Sequence, residues 1–295
     1  MVIFRGQELR SVVREPSDVD RMLAEADEQG VDHLLLSPWI QLVPAGPQPG
    51  ELAEAVTACR VQNEALARAA AHPRVTALGA VPVQDGAAAA AELIRLMRLP
   101  GLRGAEVPCS AGGRYLGDDA FLPFWEAAEA AGALIFVHPT TGGLGIRALS
   151  EYYLWNSVGN PTETAIAAAH LAASGVLERF PGLRILLAHG GGTLPSVLGR
   201  LARAQSVRPE AASRSAADPA RLLARLHFDS LTHDRAALAR LVAWAGPERV
   251  LLGSDRPFDM GSDQPVADIT ALRLGSEDEG LILGGNAARL LGLAG

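Results

Sequence analysis

Three short apolar runs in the chain each end in a side chain that can bind a metal ion or move a proton. Residues 133–137 lead to His138, residues 183–188 to His189, and residues 250–254 to Asp255. Runs of this length, rich in branched residues and followed by glycine or proline, are typical of buried parallel strands. Barrels of alternating strands and helices place their chemistry at the C-terminal ends of the strands, so the three side chains are predicted to meet at one mouth. The pattern therefore predicts an enzyme.

Each of these side chains also has a purely structural interpretation. His138 could be a histidine hydrogen-bonded at the barrel rim, and His189, which precedes three glycines, could be a satisfied residue in a tight turn. A histidine placed like His189 can also move protons near neutral pH, with backbone N–H groups facing an anion. Asp255 needs a cation or hydrogen-bond donors, and an ion pair with Arg256 would satisfy it. The functional interpretation is favoured because all three side chains are predicted to converge.

Two other side chains are candidates for the same mouth. Glu106 lies near the end of another predicted strand, and His233 follows a short one. The remaining histidines are predicted to be structural, since they lie inside strands or helices or beside a proline. They are His33, His72, His170 and His227.

Seven strand-like segments alternate with helix-like segments along the chain. Strands are predicted at residues 31–36, 75–81, 102–107, 133–137, 183–188, 226–229 and 249–254. Helices are predicted at residues 18–29, 51–71, 87–97, 119–131, 162–179, 194–204, 235–245, 266–274 and 286–291. Residues 37–50 and 140–160 are predicted to be long loops, and residues 206–219 a surface excursion. Such alternation implies a parallel sheet with right-handed crossovers, and a closed barrel of this type has eight strands, so the first is predicted to be missing.

Composition limits the class of protein. The 295 residues are 48% hydrophobic, enough for one large domain spanning residues 1–295. The net charge of −7 and the lack of basic runs argue against nucleic acid as a partner. All 26 basic residues are arginine, which excludes a Schiff-base lysine and a carbamylated lysine bridging two metals. Two cysteines without metal-binding spacing, and no apolar run of membrane-spanning length, predict a cytoplasmic protein without a membrane partner.

Six short motifs resemble one known family. They occur at residues 136–139 (Phe-Val-His-Pro), 159–164 (Gly-Asn-Pro-Thr-Glu-Thr), 188–192 (Ala-His-Gly-Gly-Gly), 199–200, 253–258 and 285–287. In this order, and over nearly the whole chain, they resemble the decarboxylase branch of the amidohydrolase superfamily, typified by 2-amino-3-carboxymuconate-6-semialdehyde decarboxylase. The resemblance implies a TIM-like (β/α)8 barrel of the amidohydrolase type and a divalent metal, zinc or alternatively manganese.

The resemblance also implies roles for particular residues. His138 would be a metal ligand, Asp255 both a ligand and a group that takes a proton from metal-bound water, and His189 the neighbouring acid–base residue. Arg200 would reach the substrate carboxylate of a neighbouring subunit, which implies a homodimer. Arg10 would be a second residue that binds the carboxylate, with Arg14 as the alternative.

One motif of the family is absent. The first strand of family members ends in His-x-His, which supplies two metal ligands, and this sequence contains no His-x-His. Catalytic zinc sites normally have three protein ligands, so the metal site is expected to be incomplete in this chain. The expectation is that the chain lacks its true start, and the alternative is a degenerate family member. Arg256 stands where the family often has tyrosine.

The predicted function is metal-dependent, non-oxidative decarboxylation of a small unsaturated or aromatic carboxylic acid. The metal would act as Lewis acid and template, and arginines would bind carboxylates with two parallel hydrogen bonds. The same residues suit metal-dependent hydrolysis of an amide, ester or lactone. Two further alternatives are a catalytically silent barrel that binds small acids, and metal-independent catalysis by His189 and the arginines.

Overall fold

The computed structural model describes residues 2–4, 7–9, 18–44, 52–140 and 144–293. Its strands are β1 (Val2–Phe4), β2 (Gln7–Leu9), β3 (Leu34–Leu36), β4 (Val75–Ala80), β5 (Leu102–Pro108), β6 (Ser110–Ala111), β7 (Arg114–Tyr115), β8 (Leu134–His138), β9 (Arg184–Leu187), β10 (His227–Asp229) and β11 (Val250–Leu251). Its α-helices are α1 (Val19–Gln29), α2 (Leu52–Ala69), α3 (Gly86–Leu96), α4 (Leu122–Ala131), α5 (Asn160–Ala173), α6 (Val176–Arg179), α7 (Leu194–Val207), α8 (Pro219–Leu223), α9 (Arg235–Ala245), α10 (Pro265–Thr270), α11 (Ser276–Gly280) and α12 (Asn286–Leu291). Short 3₁₀ segments lie at Ile40–Leu42, Asp119–Phe121, Arg147–Ser150, His189–Gly191, Pro209–Ala212 and Pro247–Arg249, and π-helical segments at Trp155–Gly159 and Leu281–Gly285.

The central sheet has seven strands in the order β3–β4–β5–β8–β9–β10–β11, which is also their order along the chain. All neighbouring pairs are parallel; Val137 and Phe228, for example, lie on either side of Leu187. Parallel neighbours need a crossover connection, which the helices between them provide. This arrangement is that of a strand–helix barrel and confirms the predicted count of seven strands. Strands β1 and β2 form a separate antiparallel pair.

The two faces of the sheet pack into different apolar clusters. Along β8, Ile135 and Val137 belong to the large cluster shared with the surrounding helices. Leu134 and Phe136 belong to a smaller cluster with Leu78 and other strand residues. Side chains alternate between faces along a strand, so the residue after Val137 points to the same side as Leu134 and Phe136. That residue is His138.

Short-range capping fixes several helix boundaries. Asp18, Asp85 and Asp234 each accept a hydrogen bond from the backbone N–H three residues further on, at the starts of α1, α3 and α9. Gly30 and Gly132 end α1 and α4 in the left-handed conformation. The predicted helices at these positions are therefore confirmed to within a few residues. Among the helices of the described ranges, none is long and apolar enough to cross a membrane.

Two local predictions are wrong. The predicted helix over 162–179 is two helices, α5 and α6, because Gly175 has a φ of +83° and ends the right-handed run. The predicted surface excursion at 206–219 is mostly exposed, as expected, and leads into helix α8, which is capped by Asp218. The predicted loop at 140–160 contains helical turns, including the π-helical segment at Trp155–Gly159.

Candidate active site

His138 is the last residue of β8, and its ring is oriented by a single hydrogen bond. The carbonyl oxygen of Pro139 lies 2.7 Å from Nδ1. A carbonyl can only accept, so Nδ1–H donates, and Nε2 is the nitrogen left free for a ligand. Burial and the charge of His189 lower the pKa of His138 to about 4, although the charge of Asp255 opposes them. The ring is therefore neutral at neutral pH.

His189 begins a tight turn directly beyond β9. Its φ is +56°, and the φ values of Gly190, Gly191 and Gly192 are +61°, +76° and +61°. A Cβ atom on Gly192 would collide with the carbonyl oxygen of Pro161 in α5. Glycine is thus required where the turn packs against that helix, and the left-handed backbone is acceptable to glycine at no steric cost. The glycine run holds His189 in a fixed position at the end of its strand.

A buried carboxylate secures this turn. Asp229, the last residue of β10, is 8% exposed and accepts hydrogen bonds from the backbone N–H groups of His189 (2.9 Å), Gly190 (2.9 Å) and Leu231 (3.0 Å). Burial raises the pKa of Asp229, while the His189 charge and these N–H groups oppose the rise. Asp229 was not among the predicted site residues, although, like Asp255, it is a carboxylate at the end of a short apolar run.

Asp255 follows β11 with a φ of +52° and faces His189. Its Oδ2 lies 3.9 Å from Nε2 of His189. Burial lowers the pKa of His189, but the nearby Asp255 carboxylate and the charge of Asp229 outweigh it, and the pKa is raised. The Arg256 side chain points elsewhere and pairs with Asp263 (2.9 Å). The structure therefore does not show the ion pair between Asp255 and Arg256 that was the structural alternative.

His138, His189 and Asp255 meet in one group. Their candidate ligand atoms all lie within 4.8 Å of one another, and the two imidazole centroids are 5.0 Å apart. Two imidazoles and a carboxylate form a donor set that suits zinc and also manganese. Small side-chain movements would bring all three to the metal–ligand distances of about 2.1 Å usual for zinc. The described residues thus offer three donors, one more than the two ligands that the resemblance implies.

Glu106, in β5, faces the same group. The side chain is 2% exposed, and its Oε1 lies 3.9 Å from Nδ1 of His138. Burial raises the pKa of Glu106 to about 8 despite a hydrogen bond with Ser37, and the charge of Asp255 adds to the rise. Oε2 has no hydrogen-bond partner among the described residues. Glu106 therefore holds its proton at neutral pH.

The other predicted candidates lie outside this group. Arg200 is exposed on α7, the helix that follows the His189 turn. His233 is exposed, with a φ of +53°, and is not part of the donor group found in the described ranges. Arg10 and Arg14 lie outside the residues that the structure describes, so their predicted contact with the substrate stays a prediction.

Comparison with known proteins identifies the family. A profile of the family described as Amidohydrolase matches residues 11–293, nearly the whole chain. The chain belongs to this family. The predicted resemblance is thereby confirmed.

Individual relatives of this amidohydrolase are decarboxylases. The 2-amino-3-carboxymuconate-6-semialdehyde decarboxylase of Dictyostelium discoideum is 32% identical over 298 residues, which cover 99% of this chain and 81% of the relative. The crystal structure of 5-carboxyvanillate decarboxylase from Sphingomonas paucimobilis is 29% identical, with a TM-score of 0.82 over 93% of this chain and 83% of that one. These two confirm the predicted enzyme class, a carboxy-lyase.

A third comparison concerns the fold alone. The structure of a dihydroxybenzoic acid decarboxylase from Polaromonas, with bound manganese and the inhibitor 2-nitroresorcinol, has a TM-score of 0.83 at 24% identity. It covers 93% of this chain and 86% of that one. Together with the two relatives above, it confirms the predicted barrel of the amidohydrolase type.

Proposed function

We propose that this amidohydrolase removes CO₂ from a small aromatic or unsaturated carboxylic acid in a metal-dependent, non-oxidative reaction. The observation that carries the proposal is the meeting of His138, His189 and Asp255 beyond the C-terminal ends of β8, β9 and β11. Similarity to decarboxylases over most of the chain supports the same reaction. In the proposal, residues 1–295 act as one domain.

His138 and Asp255 are the proposed metal ligands, for zinc or alternatively manganese. The Nε2 atom of His138 is free, and the low pKa of this ring keeps its lone pair available at neutral pH. The carboxylate of Asp255 supplies an oxygen donor with a negative charge. A bound ion would supply a Lewis acid that polarises and orients the substrate.

His189 is the proposed acid–base residue. Loss of CO₂ breaks the bond between the substrate carbon and its carboxyl carbon, and the electron pair stays on the substrate carbon. That carbon must then receive a proton. The raised pKa of His189 favours the protonated ring as donor. Asp255, 3.9 Å from Nε2, can then take a proton from water and pass it to the neutral ring.

Arg200 and Arg10 are the proposed substrate-binding residues. A guanidinium group matches a carboxylate with two parallel hydrogen bonds, which also fixes the orientation of the acid. Arg200 is exposed on α7, where a neighbouring subunit can approach it. This exposure supports a homodimer in which Arg200 completes the partner's site.

Metal content and product formation test the proposal together. The chain purified without chelator should hold about one zinc or manganese ion per protomer by mass spectrometry of the metal, and it should release CO₂ from a panel of aromatic acids that includes 5-carboxyvanillate. His138→Ala should lose both the metal and the activity. His189→Asn should keep the metal and lose about 10²–10⁴-fold in rate, the usual contribution of a general acid.

Arg68→Gln, an exposed position on α2, is the matched control and should keep both properties. Loss of the metal in His189→Asn would make His189 a third ligand instead. Hydrolysis of esters or lactones without release of CO₂ would mean that the enzyme is a hydrolase and not a decarboxylase. A folded chain with neither metal nor turnover would contradict the proposal and favour the silent barrel.

A further inference from the structure

A pocket opens at the opposite end of the strands from the candidate active site. Its volume is about 360 Å³, and it lies beside the N-terminal ends of β9, β10 and β11. Four arginines line it, and we call it the basic pocket: Arg184, Arg225, Arg249 and Arg289. One carboxylate, that of Glu248, is also in the lining. Four positive charges and one negative charge give the lining a formal charge of +3.

The guanidinium groups of the basic pocket are held by backbone carbonyls. Arg225 donates to the carbonyl of Pro181 (2.6 Å), Arg184 to that of Leu290 (3.4 Å) and Arg289 to that of Glu248 (3.1 Å). Within the described ranges, none of the four arginines forms an ion pair, whereas seven arginines elsewhere do. Carbonyl partners orient a guanidinium without neutralising it. The positive charge of the pocket is therefore available to an anion.

A buried histidine lies beside these arginines. His227, the first residue of β10, is 5% exposed, and its Nε2 lies 3.4 Å from a guanidinium nitrogen of Arg249. Burial and the charge of Arg249, with smaller effects of Arg289 and Arg184, lower the pKa of His227 to about 4. The ring is neutral at neutral pH and accepts from Arg249. It orients this guanidinium as the carbonyls orient the other three.

Part of the lining is apolar. Leu177, Phe180 and Leu222, at the ends of α6 and α8, form the apolar part of its wall. Ligand pockets combine such apolar walls with a few polar groups that fix the orientation of the ligand. A bare inorganic anion would leave this wall in contact with water. An anion with a carbon skeleton would cover it.

We propose that the basic pocket binds a small organic dianion, a dicarboxylate or a phosphate monoester, with its charged groups on the arginines and its carbon skeleton against the apolar wall. Arginine suits both head groups because its planar fork matches two oxygen atoms at once. Arg184 and His189 are five residues apart along β9, roughly 16 Å at 3.3 Å per residue. The pocket is therefore separate from the candidate active site and does not depend on the reaction proposed there.

Calorimetric titration of the purified full chain with phthalate and with phenyl phosphate tests this site. At least one probe should bind saturably, and its affinity should fall about tenfold or more in Arg184→Gln and in Arg225→Gln, since each change removes a charged donor. The matched control Arg68→Gln should bind like the unchanged chain. His138→Ala should also bind normally, because it alters only the other end of the strands. Circular dichroism melting establishes that each variant is folded.

Each outcome of the titration has a defined meaning. Tighter binding of phenyl phosphate assigns the pocket to a phosphate monoester, and tighter binding of phthalate to a dicarboxylate. Absence of saturable binding by both probes overturns the proposal, and so does an affinity that is unchanged in both arginine variants. Binding that is lost in His138→Ala overturns it as well, because the probes would then occupy the candidate active site. If Arg184→Gln does not fold, Arg225→Gln carries the test alone.

Discussion

Strands β9, β10 and β11 carry arginines at their N-terminal ends and aspartates at their C-terminal ends, with a histidine at each end. Arg184, His227 and Arg249 stand at the N-terminal ends, and His189, Asp229 and Asp255 at the C-terminal ends. Ile185, Leu186 and Leu187 of β9 and Phe228 of β10 lie between the two ends and are buried. The ends of β9 are roughly 16 Å apart at 3.3 Å per residue, and Coulomb interactions weaken with distance, so charges at one end act mainly on their own neighbours. The same three strands can hold a pocket for anions at one end and a group of metal-binding side chains at the other.

The histidines at the two ends show what decides a pKa. His189 and His227 both lose contact with water, and burial lowers the pKa of each. Beside His227, the charge of Arg249 lowers the pKa further, to about 4. Beside His189, Asp255 and Asp229 outweigh burial, and the pKa is raised. Burial acts in the same direction on both rings, so the difference between the two pKa values comes from the nearest charges.

The largest effect is expected from removing negative charge at the C-terminal end. Asp255→Asn keeps the shape of the side chain, but it removes a proposed metal ligand and the charge that raises the pKa of His189. The rate of CO₂ release should fall about 10³-fold or more, with loss of bound metal. Asp20→Asn, at an exposed position on α1, is the control. Full activity in Asp255→Asn would contradict the assignment of metal binding and proton transfer to the C-terminal ends of the strands.

A smaller effect at the same end concerns the loss of stability as the pH rises from about 4.5 to 8. The pKa of Glu106 is about 8 in the folded chain against an ordinary 4.5. Between these values the folded chain holds more protons than the unfolded chain, so the free energy of unfolding falls as the pH rises. The glutamine in Glu106→Gln does not titrate. In the metal-free variant, the free energy of unfolding should therefore fall by several kcal/mol less over this pH range than in the unchanged chain. Urea unfolding from about pH 5 to 8 measures the slope, and an unchanged slope in the variant would contradict the assignment.

The N-terminal end should show the opposite dependence on pH. The pKa of His227 is about 4 in the folded chain against an ordinary 6.5, so between these values the unfolded chain holds more protons. The free energy of unfolding should therefore fall as the pH drops from 6.5 towards 4. His227→Gln retains an acceptor for Arg249 and should remove on the order of 3 kcal/mol of this acid sensitivity. Urea unfolding at several acidic pH values measures it, with the exposed His233→Gln as the control.

The smallest effect is expected on the rim of the basic pocket. Arg225 is exposed and donates one hydrogen bond to a carbonyl, so Arg225→Gln should change the free energy of unfolding by no more than about 0.5 kcal/mol. Chemical denaturation measures this value, and the anion titration measures affinity in the same variant. A loss of several kcal/mol would mean that Arg225 supports the fold, which would weaken its assignment to an anion.

Most of the strands could be predicted because a buried parallel strand is an unbroken apolar run. The run before His138 and the run before His189 both appear as strands within two residues of the prediction. The hairpin of β6 and β7 was missed, since Ser110 to Tyr115 contains two adjacent glycines and no apolar alternation. Helix α8 was missed for another reason, because it is one short turn whose only signal is Asp218 before a proline.

The candidate site could be predicted in part. The convergence of His138, His189 and Asp255 followed from their place at strand ends. The role of Asp229 did not, because its partners are backbone N–H groups of a turn that the sequence does not specify. The basic pocket was also missed. Its arginines come from four separate segments, and a charge spread in this way leaves no basic run in the sequence.

The order of strands in the central sheet is the order in which they are synthesised. Each strand from β4 to β11 in this sheet pairs with a strand that precedes it, and among the described strands of the sheet no pairing requires a later segment. As the chain leaves the ribosome, each new strand of the sheet can therefore pair with a strand that has already been synthesised. The barrel can thus grow by one strand–helix unit at a time, and each new unit covers the strand edge that the previous one left open.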